Sequence, residues 1–313
     1  FIKADGSWRN QMEMYNVVGD ISPTAAQMPR TVGLAYASVL YRGLDELKAF
    51  KEFSNNGNEV AWATIGNAST AEGLFWESVN AIGVLQAPAV ITVYDDGYGI
   101  SVPNQFQMVK ENIHSVLQGF QREMNGRPKS QRGYELFQVR GWDYPALIET
   151  FASAAEIART YHIPALVHVY DVTQPQGHST SGSHERYKSP ERLRFEEEYD
   201  CLRQFKAWML DHKLAITKDF AEWESEDYDL VEGLRKRAWE AYLAPIIEER
   251  NTVMDMLEEV ATTSDQASAL RLVRDRLATL PSVMRRDIHS TVHEALRVLR
   301  HEANPSKEIL IQW

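Results

Sequence analysis

The chain has 313 residues, 44% of them hydrophobic, which is enough for one large or two ordinary domains with a filled core. A formal net charge of −11 argues against a nucleic-acid surface, and no apolar run reaches transmembrane length. The single cysteine, Cys201, excludes a disulfide framework and suits a reducing compartment.

Residues 1–19 show little periodicity, with loop signals at Asp5-Gly6 and Asn16 and a surface turn over 7–10. Ser22 can cap a helix that has Pro23 at its first position and Ala26, Val32, Gly33, Tyr36, Ala37 and Leu40 on one face. Pro29 either kinks that helix or marks its true start. Residues 44–53 read as a short amphipathic helix and 55–58 as a turn. An apolar run over 59–65 reads as a buried strand. A small-residue turn from Gly66 to Gly73 follows, then a helix over 71–85 with Phe75, Val79, Ile82 and Leu85 on one stripe. A second buried strand over 89–94 ends in the acidic turn Asp95-Asp96-Gly97-Tyr98-Gly99. Downstream the pattern predicts a helix over 110–121, an exposed basic loop over 126–133 and a third strand over 134–139. Asp143 caps the next helix, with Pro145 in its first turn and Leu147, Ile148, Phe151, Ala155 and Ala158 on its buried face. A fourth strand covers 163–170. This alternation predicts an α/β fold with a doubly wound, mostly parallel sheet. From Ser189-Pro190 onward the chain reads as helices over 191–212, 229–259, 267–280 and 283–301, broken by Asn304-Pro305-Ser306. Phe195, Leu202, Phe205 and Trp208 mark the first buried stripe there.

The chemistry concentrates at the two turns of the first strand–helix–strand unit. Parallel neighbouring strands would bring Asn67 and Asp96 side by side at the carboxyl edge of the sheet, where ligands of open parallel sheets sit. One carboxylate, one amide oxygen and a backbone carbonyl suit a small hard cation such as Mg2+, which binds with few carboxylates plus phosphate oxygens. Gly66, Ala68 and Ser69 would let a diphosphate approach the backbone, and the amides opening the helix near residues 70–73 favour an anion. Spacing alone is equally met by an ordinary strand–turn–helix with a capping Asn and a polar turn.

This stretch resembles the thiamine diphosphate motif. More narrowly, Ala71-Glu72-Gly73, Asn80 and residues 96–101 resemble the alpha part of the decarboxylating first component of 2-oxo acid dehydrogenase complexes. The family's acid in the first turn is Asn67 here and its Asn in the second turn is Asp96, so one carboxylate and one amide remain with places exchanged. The resemblance implies a thiamine diphosphate-binding fold with Asn67, Asp96 and Tyr98 as Mg2+ ligands. It also implies Ser22, Thr24, Gly66, Ala68, Ser69, Glu72, Ile100 and His178 along the cofactor. The bland role of Glu72 is to complement the helix dipole.

A second match lies in residues 173–188, which resemble the family's Gly-His-Ser-x-Ser loop over the diphosphate. By that resemblance His178 is the catalytic residue, suited by an ordinary pKa near 6.5 to move a proton. Ser179 matches the position that mitochondrial members phosphorylate. Where the family often has an Arg before this loop, the chain has Gln174 and Gln176, so Arg186 or Lys188 would supply the charge. His168, inside a strand, reads as a satisfied buried histidine.

The implied function is oxidative decarboxylation of a 2-oxo acid, branched-chain by first choice and pyruvate by second, with acyl transfer to a lipoyl carrier. The implied partners are a beta part, separate or fused, and a lipoyl acyltransferase, in a heterotetramer or a homodimer of fused chains. Nucleic acid and membrane are not among them, and the expected location is cytoplasmic. The rival reading is a non-catalytic assembly module with a decayed site; a transketolase-type transferase lacks the second loop. The expected division is an α/β domain over 1–188 lacking its upstream part, a helical extension over 189–244 and a helical tail or linker over 245–313 toward a following domain. The isolated chain is expected to be inactive.

Overall fold

The computed structural model describes residues 2–19, 23–122, 132–178 and 184–313. Ser22, Ser179 and residues 126–131 of the expected basic loop lie outside the described residues. The chain divides into two compact units, Phe1–Leu214 and Ala215–Trp313.

The first unit is built on four parallel strands, β1 (Ala61–Gly66), β2 (Ala89–Tyr94), β5 (Glu135–Arg140) and β6 (Ala165–Tyr170), in the order β1-β2-β6-β5. A two-stranded antiparallel ribbon, β3 (Tyr98–Gly99) with β4 (Val102–Pro103), follows β2. Helices cover both faces, as a parallel sheet requires. On one face α1 (Gln27–Gly43), α2 (Gly73–Leu85) and α3 (Ile113–Val116) pack with Ile65, Ile91, Val93 and Leu166. On the other, α4 (Tyr144–Tyr161) packs Ala154 and Ala158 against Val90, Val139, Val167 and Val169. The alternation along β2 and β6 sends successive residues to opposite faces, so both strands are buried up to their last residues, Tyr94 and Tyr170. The doubly wound α/β expectation is met.

Details differ from the sequence reading for local reasons. Among the described residues β1 has only β2 beside it, so it alternates buried and open positions, and Trp62 is 48% exposed. α1 begins at Gln27, so Pro29 sits in its first turn, where the missing N–H costs nothing. Its buried face is Met28, Thr31, Ala35 and Ser38 rather than the face holding Gly33 and Tyr36. The small side chains turn inward, and the Ser38 hydroxyl donates to the Glu59 carbonyl at 2.8 Å. A 3-10 turn over Ala68–Ala71 delays α2 to Gly73, which leaves Glu72 at the N-cap rather than inside the first turn. Residues 45–49 form a 3-10 turn in place of the amphipathic helix, while Asn56 and Gly57 make the expected tight turn with positive φ. Asp143 caps α4 through the Ala146 N–H, but Ile148 is exposed and Ala154 takes the interior in its place. The helix expected over 191–212 is two, α5 (Pro190–Glu198) and α6 (Cys201–Asp211), because Asp200 caps a new start through the Arg203 N–H. That break leaves Leu202 75% exposed instead of in a buried stripe.

The second unit holds α7 (Thr217–Thr263), α8 (Ala267–Ala278), α9 (Arg285–Val298) and α10 (Glu308–Gln312). Its core runs from Ile246 through Val253, Leu257, Leu270, Ile288 and Leu299 to Leu310. Asn304 caps the turn that leads into α10.

Candidate functional site

The site begins where β1 and β2 end. Gly66 pairs with Tyr94 across the sheet, and the Asn67 N–H donates to the Tyr94 carbonyl at 2.9 Å, so the two turns leave the sheet side by side. The acidic turn folds on itself. Asp95 Oδ1 accepts from the Gly97 N–H at 2.8 Å and Asp96 Oδ1 from the Tyr98 N–H at 3.0 Å, with Gly97 at φ 86° where a side chain would be strained. That turn aims the Tyr98 carbonyl back at the first one, where Asn67 Nδ2 donates to it at 2.9 Å. Asn67 and Asp96 are therefore both tied to Tyr98, one through its carbonyl and the other through its N–H. Gly99 closes the approach: a Cβ there would sit 2.6 Å from the Ala68 Cβ. Above Gly66 a Cβ would meet nothing within 4 Å, so the small-residue turn leaves its backbone open.

Behind this front lies a buried polar chain. His168 on β6 is fully buried, and its Nε2 is 2.9 Å from Asp95 Oδ2, with Gln138 Nε2 3.4 Å from Nδ1. Asn104 Nδ2 donates to Asp95 Oδ1 at 3.0 Å, and Asn104 Oδ1 accepts from Asn67 Nδ2 at 2.6 Å. Burial works to raise the Asp95 carboxyl, but the bonds from His168, Asn104 and the Gly97 N–H outweigh it and hold it below the ordinary range. His168 is the satisfied buried histidine that its place in a strand suggested.

Positive charge reaches the site from α5 and from Lys188 just before its cap. Lys188 Nζ lies 2.7 and 2.8 Å from the two Glu196 oxygens, and Arg192 Nε lies 2.8 Å from Glu196 Oε1. Arg192 Nη2 also donates to the Asp96 and Val172 carbonyls, which pins α5 onto the tips of β2 and β6. Two cations share one carboxylate, so the triad presents a net positive charge to Asp96. Burial pushes the Asp96 carboxyl above the ordinary range, with the Tyr98 N–H, Lys188 and Arg192 pulling the other way. Of the two residues expected to supply charge, Lys188 is buried in this triad and Arg186 is exposed. Sequence reasoning missed Arg192 and Glu196, whose i, i+4 spacing in Lys188-x3-Arg192-x3-Glu196 was the available signal.

The remaining expected residues surround this centre. Ala68 and Ser69 lie on the turn after Asn67, and Glu72 is exposed at the N-cap of α2. Thr24 is exposed in the turn before α1, which Gln27 ties to the Thr64 carbonyl near the end of β1. Ile100 is 63% exposed with φ 58°, an uncommon state for a β-branched side chain. His178 is exposed after Gly177, and its backbone hydrogen-bonds the Tyr187 phenol. The Tyr187 ring stands 5.5 Å from that of Tyr98, so the loop is tied to the acidic turn. Among the described residues no group of three or more His, Cys, Asp and Glu forms a cage. A cation here would rest on one carboxylate, one amide, one carbonyl and oxygens brought by a ligand.

Residues 3–245 match the family described as "Dehydrogenase E1 component". The chain belongs to that family. Among curated relatives of this E1 chain, 2-oxoisovalerate dehydrogenase subunit alpha 1, mitochondrial, of Arabidopsis thaliana is 25% identical over 76% of this chain and 44% of its own length. The pyruvate dehydrogenase E1 component subunit alpha of Rickettsia bellii is 23% identical over 58% and 52%. The 2-oxoisovalerate dehydrogenase subunit alpha of Bacillus subtilis is 26% identical over 62% and 50%. The chain spans about half the length of the curated relatives it matches. The resemblance read from the two turns and the His178 loop is borne out at the level of the family.

Proposed function

We propose that this E1 chain is the alpha part of a thiamine diphosphate-dependent 2-oxo acid dehydrogenase. The observation that supports the reading is that Asn67 and Asp96, at adjacent strand tips, both bond to the backbone of Tyr98. The donor set fits Mg2+ with a diphosphate: too few carboxylates for a protein-only cage, hard oxygens throughout, and an open backbone at Gly66 beside the start of α2. Asn67 Oδ1, an Asp96 oxygen and the Tyr98 carbonyl would hold the cation. Gly66, Ala68 and Ser69 would admit the phosphates, and Ser22, Thr24, Glu72 and Ile100 would line the rest. Bound thiamine diphosphate would supply the electron sink for loss of carbon dioxide. His178 holds or moves a proton at the imidazole, and the Lys188–Arg192–Glu196 triad keeps α5 and its positive charge against the acidic turn.

The substrate favoured is a branched-chain 2-oxo acid, supported by relatives named for 2-oxoisovalerate, with pyruvate as the second choice on the relative named for it. The acyl product passes to a lipoyl carrier, a beta part completes the site, and a lipoyl acyltransferase receives the assembly, which is a heterotetramer or a homodimer of fused chains. The single exposed Cys201 supports a reducing, cytoplasmic setting. Residues 1–188 form the cofactor-binding domain, 189–244 the helical extension of the alpha part and 245–313 a tail or linker.

Titration calorimetry of the chain with its beta part tests this reading. Saturable heat with thiamine diphosphate and Mg2+ is expected, lost on Asp96→Ala, together with no turnover by the chain alone. The second reading, an assembly module, is favoured by the exchange of acid and amide between the two turns; absence of heat would establish it. Comparing kcat/KM for 3-methyl-2-oxobutanoate and pyruvate decides the substrate.

A further inference from the structure

At position 67 an amide stands where a symmetric carboxylate would serve. An amide has two unlike ends. Only its oxygen can ligate a cation, so Asn67 in the wrong orientation would turn an NH2 group toward the ion. The buried chain behind the site removes that freedom. Asp95, as a carboxylate, has only acceptor atoms, so the end of Asn104 that faces its Oδ1 at 3.0 Å must be the NH2 group. The Asn104 oxygen then faces Asn67, and at 2.6 Å it can only accept, so the near end of Asn67 is its NH2 group. The Tyr98 carbonyl, an acceptor as well, takes the other hydrogen at 2.9 Å. With both hydrogens committed, Asn67 Oδ1 points away from Asn104. His168 completes the chain. The Gln138 amide donates to Nδ1, which leaves Nε2 as the donor to Asp95 Oδ2 at 2.9 Å and keeps that carboxylate from turning. Asn67, Asp95, Asn104 and His168 are all buried, so water does not offer the amides an alternative partner.

We infer that Asp95, acting through Asn104, is a positioning residue that sets which end of the Asn67 amide faces the cation position; the role rests on the metal site proposed above. Asp95 and Asn104 touch neither cation nor substrate. Their work is to pass a direction from a carboxylate to an amide.

A double-mutant cycle on Mn2+ binding tests it. Free Mn2+ is followed by electron paramagnetic resonance in the chain assembled with its beta part and thiamine diphosphate. Asn104→Leu is expected to weaken Mn2+ binding on the order of 10-fold where Asn67 is retained. In an Asn67→Asp background, whose carboxylate has no orientation to lose, the same change is expected to cost less than about 2-fold. Should Asn104→Leu fail to fold, the isosteric Asp95→Asn carries the same cycle, since an amide at that position accepts or donates equally well. Equal losses in both backgrounds overturn the positioning role while leaving the metal site standing. No Mn2+ uptake by the unsubstituted assembly overturns the metal-site reading itself, and the role falls with it.

Discussion

Gly99 shows how little room the two turns leave each other. Its missing side chain lets the ribbon lie against Ala68, and Gly99→Ala would force a Cβ to within 2.6 Å of a side chain that cannot move aside. The expected cost is about 1–3 kcal/mol in urea unfolding, with a weaker response to thiamine diphosphate in the same preparation. The opposing substitution is Asp96→Asn. Burial holds the Asp96 carboxyl above its ordinary range, so the charged form is disfavoured by the fold, and replacing it should raise the melting temperature of the metal-free protein near pH 7. The same change removes the only carboxylate among the three proposed ligands, and cation binding should fall on the order of 10- to 100-fold. A variant that is more stable and binds worse is the signature of a residue kept for its ligand and not for the fold.

α5 and α4 carry the predictions that belong to whole elements. Glu196 sits between Lys188 and Arg192 with its side chain 2% exposed, and Glu196→Gln would strand the Lys188 ammonium, itself 1% exposed. Removing one partner of a buried ion pair costs about 3–5 kcal/mol, so α5 should loosen from the strand tips, read as faster amide exchange across Pro190–Glu198. His162 ends α4 in a left-handed conformation and donates from Nε2 to the Gly57 carbonyl at 2.8 Å. Burial holds its pKa below the usual value, against the Gly57 contact, which pulls upward. A histidine whose folded pKa is depressed favours the fold while neutral, so stability is full above about pH 6.5 and falls as the unfolded chain takes up the proton below it. His162→Asn, which tolerates the same backbone, should flatten that slope in denaturation series between pH 5 and 8. At this scale the sequence was legible wherever a local rule acted alone. Asp143 and Ser189 could be read as caps, and the two interior strands as continuous apolar runs. It was less legible where a neighbour decided. No pattern in 61–66 says that this strand has a single partner among the described residues, and no property of Phe195 or Leu202 reveals that Asp200 will restart the helix between them. The site divides the same way. The turns that hold the proposed ligands could be read along the chain, because each turn is local. The buried chain that joins Asn67 to Asn104 and Asp95 to His168 links residues distant in sequence, and only the fold brings them together.

For the molecule as a whole, the family match ends at residue 245, and the second unit's core begins at Ile246. Residues 246–313 thus have an apolar interior of their own, supported by Val253, Leu257, Leu270 and Ile288. Leu257→Ala, at a fully buried position, is expected to cost about 2–5 kcal/mol in that unit. Followed by hydrogen exchange, the loss should be confined to α8, α9 and the second half of α7. The first half of α7 is different: Trp223, Tyr228, Leu234, Trp239 and Tyr242 are all exposed along it. No helix among the described residues is long and apolar enough to cross a membrane.

The crossed placement of acid and amide also limits the steps by which such a chain can change. From the present pair, Asp96→Asn alone leaves two amides and no protein charge for a divalent ion, whereas Asn67→Asp alone leaves two acids. A lineage moving between the two orders while keeping the proposed cation would have to pass through the doubly acidic form. The reversed pair, made by both changes together, should then recover binding that the amide-only pair cannot reach.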